Sequence, residues 1–206
     1  MDVALYDFAV CRDLLGPGRR VILWFQGCSL ACPGCMTPDA MPRLGGRWTR
    51  LRAIQRYVRK VQPIEGLTIS GGEPFQQASA LAQLLGFCKQ ANLGSIVYSG
   101  YTLRELERRS TRDADVRSAL GLADTIIDGR YDHSNNTGVG IRGSVNQKVH
   151  MLSDRYSAFA ERFENDARRQ EHIFRQTRTL TVGLATIDRW QKVNADQTGL
   201  TGYHNV

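Results

Sequence analysis

Short apolar runs alternate with amphipathic stretches along this chain, and the two spacings predict two kinds of element. Val21 to Phe25 is unbroken apolar sequence, as expected of a strand covered on both faces. Leu51, Ile54, Val58 and Val61 then fall on one helical stripe, with Thr49 placed as a cap. Leu67 to Ser70 reads as a second buried strand that runs into Gly71-Gly72-Glu73-Pro74. Ala78, Leu81, Ala82, Leu85 and Cys88 recur at helical spacing and predict a helix from Gln77 to Lys89. The pattern continues with a strand over Ser95 to Tyr98 and a short helix over Thr102 to Arg109, capped by Thr102. Asp124 to Asp128 and Gln147 to Leu152 read as strands, separated by the turn-rich run Asn135 to Gly140. Tyr156, Phe159 and Phe163, between Ser153 and Arg169, have helical spacing and read as packing residues. Leu180 to Leu184 is the last candidate strand.

Strands alternating with helices predict an α/β fold on a parallel sheet, with ligands at the carboxyl ends of the strands. The segments from Cys28 to Cys35, Gly71 to Pro74, Ser99-Gly100 and Asp128-Gly129 each follow a predicted strand, so they should converge on one rim. A chain of 206 residues that is 42% hydrophobic can bury one sizeable core. Its longest apolar runs are far too short to cross a membrane. The start, with Asp2 and Asp7, has no basic leader pattern, and a cytoplasmic location is expected.

The net charge of +7 is unevenly placed. Arg43, Arg47, Arg50, Arg52, Arg56, Arg59 and Lys60 lie in a stretch with no acid between Ala40 and Ile64. It is either a docking face for an acidic partner or a solvated helix face, and the sequence leaves both open. No recognition motif accompanies the charge, which argues against a nucleic-acid binder.

Chemistry is concentrated in Gly27-Cys28-Ser29-Leu30-Ala31-Cys32-Pro33-Gly34-Cys35. Three thiolates in a Cys-x3-Cys-x2-Cys run can hold three irons of a [4Fe-4S] cluster and leave the fourth iron open to a small molecule. A structural zinc site, with Cys11, Cys88 or a histidine as fourth ligand, is the alternative, although no second cysteine pair provides the usual zinc spacing. Five cysteines, an odd number, argue against a disulfide framework. Cys11 is expected to be a buried thiol and Cys88 a peripheral one. Histidines 133, 150, 172 and 204 are scattered, so a histidine metal site is not expected. In the second segment, Gly71 and Gly72 carry no Cβ and let backbone approach a ligand closely.

These two segments, in this order, resemble the radical S-adenosylmethionine (SAM) superfamily, and within it the activating proteins of anaerobic ribonucleotide reductase. The resemblance covers residues 14 to 152. It includes Gly16-Pro17-Gly18-Arg19 and Trp24 to Cys28, the form Cys32-Pro33-Gly34-Cys35, and Ser70 to Pro74. It continues through Tyr98 to Thr102, Asp128-Gly129-Arg130-Tyr131 and Arg142-Gly143-Ser144-Val145-Asn146-Gln147. Met36 and Ser99 depart from the family's commoner residues, and the tail from Ser153 to Val206 has no counterpart in it.

The resemblance implies an incomplete, open (βα) barrel, with a core over residues 1–152 and an extension over 153–206 packed on or over it. It implies a [4Fe-4S] cluster on Cys28, Cys32 and Cys35, and SAM held at Gly34, Gly71, Gly72, Glu73, Pro74, Ser99, Asp128, Arg142 and Asn146. For Asp128 and Arg142 a structural ion pair is an equal alternative. One electron from a flavodoxin or ferredoxin would cleave SAM to methionine and a 5′-deoxyadenosyl radical. The implied substrate is a glycine of a partner enzyme such as anaerobic ribonucleotide reductase. The alternative is a stand-alone enzyme acting on a nucleoside, sugar, amino acid or peptide. The two differ in whether the tail, with Trp190, Tyr203 and His204, leaves the barrel mouth open or closes it.

Overall fold

The computed structural model describes residues 1–176 and 179–184. Strands β1 (Asp2–Arg12) and β2 (Arg19–Phe25) form an antiparallel hairpin. Its turn is closed by the Asp13 N–H donating to the Gly18 carbonyl at 3.0 Å and the Gly18 N–H donating to Asp13 Oδ1 at 2.7 Å. Strands β3 (Arg47–Arg50), β4 (Gly66–Gly71), β5 (Gly94–Ser99), β6 (Thr125–Asp128) and β7 (Lys148–Met151) complete one sheet of order β3-β1-β2-β4-β5-β6-β7. β2, β4, β5 and β6 pair in parallel, while the flanking pairs are antiparallel. The order is linear, with β3 and β7 at its two ends, so the sheet is open.

Strand residues alternate between the two faces. Val21, Leu23 and Phe25 join Leu67, Ile69 and Val97 in a core against helices α1 (Leu51–Lys60), α2 (Ala78–Gln90), α3 (Leu103–Ser110) and α4 (Ala114–Leu122). Ile22 and Trp24 point the other way and pack with Ala9, Cys11 and Leu15 against Leu180 and Val182. Those last two belong to a separate hairpin, β8 (Glu171–Phe174) with β9 (Thr179–Val182). Coverage on both faces accounts for the unbroken apolar run in β2. Tyr156 and Phe163, from a 3-10 turn (Asp154–Phe159) and the short helix α5 (Ala160–Asn165), pack on Ile96 and Ile127. The Tyr156 hydroxyl accepts from the buried Arg20 guanidinium at 2.7 Å and so ties this segment to β2.

Four elements, β1, β3, α4 and β8, were not legible as such. β1 mixes Asp7 among apolar positions, and α4 buries only Val116 and Ala119. Thr49 does not cap α1: it lies in β3, its hydroxyl donates to the Arg47 carbonyl at 3.2 Å, and Arg50 occupies the cap position. Thr102 does cap α3, in a reciprocal capping box with Glu105. Cys88 is fully buried under the sheet rather than peripheral. Among the described residues no helix is long and apolar enough to cross a membrane.

Candidate functional site

The cysteine loop leaves β2 through Gln26 and Gly27. Its two ends are held together by the Gly27 N–H donating to Ala40 O and the Cys28 N–H donating to Met41 O, both at 2.8 Å. The Gln26 amide reinforces this by donating to Asp39 O at 3.1 Å and Pro42 O at 2.7 Å. Inside the loop, Ala31 and Gly34 have φ of 48° and 68°, which folds the chain back on itself. The Cys35 N–H donates to Cys32 O at 3.2 Å, and the Thr37 N–H points at Cys35 Sγ at 3.5 Å. All three cysteines are free thiols, partly buried. Burial pushes the Cys28 and Cys35 thiols up, so their thiolates need a positive counter-charge to persist.

The turn after β4 is stitched to this loop. The Gly72 N–H donates to Phe25 O at 2.7 Å and the Glu73 N–H to Gly27 O at 2.9 Å. A Cβ on Gly72 would lie 2.2 Å from Gly27 O, and one on Gly71 2.5 Å from Phe25 N and O. Gly71 also has φ +102°. These glycines are required first by the approach of two backbone segments to each other.

Glu73 is buried and joins this turn to the one after β5. Its Oε1 accepts from the Phe75 N–H at 3.0 Å and the Ser99 hydroxyl at 2.9 Å, and its Oε2 accepts from the Gly100 N–H at 2.7 Å. Burial nonetheless outweighs these bonds and pushes its carboxyl up to about 7.

Cys28, Cys32, Cys35, Gly71, Gly72, Glu73 and Ser99 all line one cavity of about 630 Å³, at the carboxyl ends of β2, β4 and β5. Gly100 and Gly129 line it too. The volume lies in the range of cofactor and small-molecule sites. Gly34 sits in the cysteine loop, and Pro74 is buried behind Glu73 at the start of a 3-10 turn (Pro74–Gln77).

Asp128, Arg142 and Asn146 do not line the cavity. Asp128 accepts from the backbone of Leu103 and Lys148, Arg142 pairs with Glu164, and Asn146 donates to Arg130 O at 2.8 Å. Each of these side chains holds loops together in this arrangement. Gln147, from the same segment, does reach the wall: its Nε2 donates to Gly129 O at 2.7 Å, and its Oε1 accepts from the Gly143 N–H at 2.7 Å.

Tyr98 and Tyr131, from two of the matched segments, contribute to the far wall. So do His172, Thr179 and Thr181 of the β8–β9 hairpin, which carries no motif. His172 Nδ1 and Thr181 Oγ1 meet across the hairpin at 3.1 Å. Trp190, Tyr203 and His204 lie outside the described residues.

The donor set fits an iron–sulfur cluster. Thiolates are the soft ligands such clusters take, and three free cysteines on one short loop face a cavity with room for a further ligand. Among the described residues no three His, Cys, Asp or Glu side chains are grouped as ligands of a single ion. A cube does not ask for that, since each cysteine binds a different iron. Cys11 and Cys88, the alternative zinc ligands, are buried in the two cores on either side of the sheet, with thiols pushed up to about 12.

Residues 14–150 match the family described as 4Fe-4S single cluster domain. The chain is 26% identical over 150 residues to the anaerobic ribonucleoside-triphosphate reductase-activating protein of Enterobacteria phage T4, covering 70% of this chain and 91% of that one. The protein of that name from Vibrio cholerae is 28% identical over 147 residues, covering 67% and 91%. The pyruvate formate-lyase-activating enzyme of Clostridium pasteurianum is 31% identical over 87 residues, covering 40% of this chain and 37% of that enzyme.

Proposed function

The chain belongs to the 4Fe-4S single cluster domain family, and from that premise we propose that it is a radical SAM enzyme that activates a glycyl-radical partner, of the kind served by anaerobic ribonucleotide reductase activases. The observation that carries this reading is the convergence of Cys28, Cys32, Cys35 and the Gly71–Glu73 turn on one cavity. The relatives named above are activating proteins, and this chain spans nine tenths of those that serve ribonucleotide reductase.

Cys28, Cys32 and Cys35 would hold a [4Fe-4S] cluster through three irons. A cluster held there would supply the one electron for reductive cleavage of bound SAM, the chemistry that lets such enzymes take a hydrogen atom from a substrate. The chain's own part is to bind and orient. Gly71 and Gly72 present backbone to the SAM amino end, while Glu73, Ser99 and Gly100 lock that turn onto the next one. Gly34 leaves room beside the cluster. The apolar wall of Leu30, Met36 and Trp24 keeps water from the reacting centre. Asp128, Arg142 and Asn146 act here by fixing the loops that carry Gly129, Gly143 and Gln147. The electron donor is a flavodoxin or ferredoxin, and a cytoplasmic setting suits both the free thiols and an oxygen-labile cluster.

A second reading has one observation in its favour. The β8–β9 hairpin supplies His172, Thr179 and Thr181 to the cavity wall. A walled cavity suits a small-molecule or peptide substrate. Residues 1–152 form the catalytic core in either case, and the described part of the extension, through the β8–β9 hairpin, shapes access.

The test is anaerobic reconstitution followed by dithionite reduction with SAM. Release of 5′-deoxyadenosine and methionine is expected without any substrate, and a glycyl-radical signal once the partner reductase is added. Cluster-loaded protein that cleaves no SAM would end the radical SAM reading. Cleavage with no radical on any glycyl-radical enzyme would favour the small-molecule alternative.

A further inference from the structure

The loop that closes the cysteine segment continues into an edge of unusual composition. Leu44 is 87% exposed and Trp48 70% exposed, while Arg43, Arg47 and Arg50 beside them are exposed too. Trp48 and Arg50 alternate onto one face of β3. β3 is the end strand of the sheet, paired only with β1. Among the described residues, no carboxylate forms a salt bridge with Arg43, Arg47, Arg50, Arg52 or Arg56. Charge on an end strand can serve simply to prevent edge-to-edge aggregation. An exposed tryptophan and leucine in the same patch do the opposite. Arginine with an exposed aromatic is instead the composition of a protein–protein contact.

We propose that the loop after Met41 together with β3 is the docking surface for an acidic one-electron carrier protein. The inference rests on the reading above that the neighbouring cysteines hold a reducible cluster. Seven basic residues and no acid between Ala40 and Ile64 fix the sign of the partner. The position fixes its role. The start of the loop is bonded to the cluster segment, Ala40 O and Met41 O accepting from the Gly27 and Cys28 N–H groups, and a Cβ added at Gly27 would meet Arg43 Cα first, at 3.9 Å. Arg43, Leu44 and Trp48 do not line the cavity. A protein substrate must insert into that cavity to meet a radical, whereas an electron need only cross the loop. The carrier gives up one electron, the cluster site takes it up, and no atom or proton passes between them.

The experiment measures binding of an acidic flavodoxin to the reconstituted protein over a range of salt, for the wild type, R43E/R47E and W48A. The charge reversal is expected to weaken Kd about tenfold or more at low salt and to flatten its salt dependence. W48A is expected to weaken Kd with the salt dependence kept. Dithionite-driven 5′-deoxyadenosine release should be the same in all three proteins, with flavodoxin-driven release lowered in the variants. Equal flavodoxin affinity in all three would overturn the proposal. So would variants that bind flavodoxin normally and lose only the glycyl-radical partner. Failure of dithionite-driven cleavage in the wild type would instead count against the radical SAM reading, because docking is read from binding alone.

Discussion

Glu73 is the residue on which the site's two turns depend. Three donors hold its carboxylate, and burial still raises it to about 7 from an ordinary carboxyl value of 4.5. The folded protein therefore holds a proton on Glu73 that the unfolded chain has released between those values. Stability of the cluster-free protein should fall as pH rises from about 4.5 to 7, by on the order of 3 kcal/mol from this group, and level off above. Urea unfolding across that range checks it, and Glu73→Gln should remove the slope. A second prediction separates the cysteines. Cys32→Ala should abolish the visible absorption of the reconstituted cluster, whereas Cys88→Ala, on the core-facing side of α2, should leave it unchanged. Equal loss in both would mean that the trio does not hold the iron.

At the scale of elements, the turns matter more than the strands they join. Gly72 faces Gly27 O so closely that any Cβ must push the β4 turn off the cysteine loop. Gly72→Ala should cost about 1–3 kcal/mol, as overpacking does, and should lower the iron retained after desalting. Normal iron content with normal stability would show that the two segments yield freely. Thr102 has a local role. Thr102→Ala should cost about 1 kcal/mol in thermal or urea unfolding through loss of the α3 cap, and Thr102→Ser should restore most of it.

For the whole molecule, the central question is what covers the sheet face opposite the helices. The β8–β9 hairpin packs Leu180 and Val182 onto Trp24, Ile22 and Leu15, a cluster separate from the larger helix-side core. A chain ending before Gln170 should therefore keep that larger core. Its Trp24 fluorescence should shift to the red, because the indole loses its cover. An activase should still release 5′-deoxyadenosine under dithionite after this truncation. A small-molecule enzyme should lose substrate binding, since His172, Thr179 and Thr181 leave the wall. Loss of all SAM cleavage, with the fold kept by circular dichroism, would count against the activase reading.

What the sequence determined by itself was whatever depends on neighbours along the chain. Helical spacing placed α2, and unbroken apolar runs placed the parallel strands, because a strand covered on both faces needs apolar residues at every position whatever the partner. The cysteine spacing and the Thr102 cap were legible for the same reason: their groups lie within a few residues of each other. β1 and β3 were not, since one carries Asp7 among its apolar positions and the other is an exposed end strand with little burial to pattern it. Thr49 had the right chemistry for a helix cap, yet pairing of β3 with β1 claimed it. Only tertiary structure decided that Glu73 is held by Ser99 and Gly100, and that Gly72 must be glycine because Gly27 O lies against it. Long-range contacts likewise turned Asp128, Arg142 and Asn146 to loop carbonyls, amides and Glu164. The hairpin on the cavity wall is the largest such decision: four residues of alternating pattern are common to many strands, and which surface they cover is set by the apolar face left open on β1 and β2.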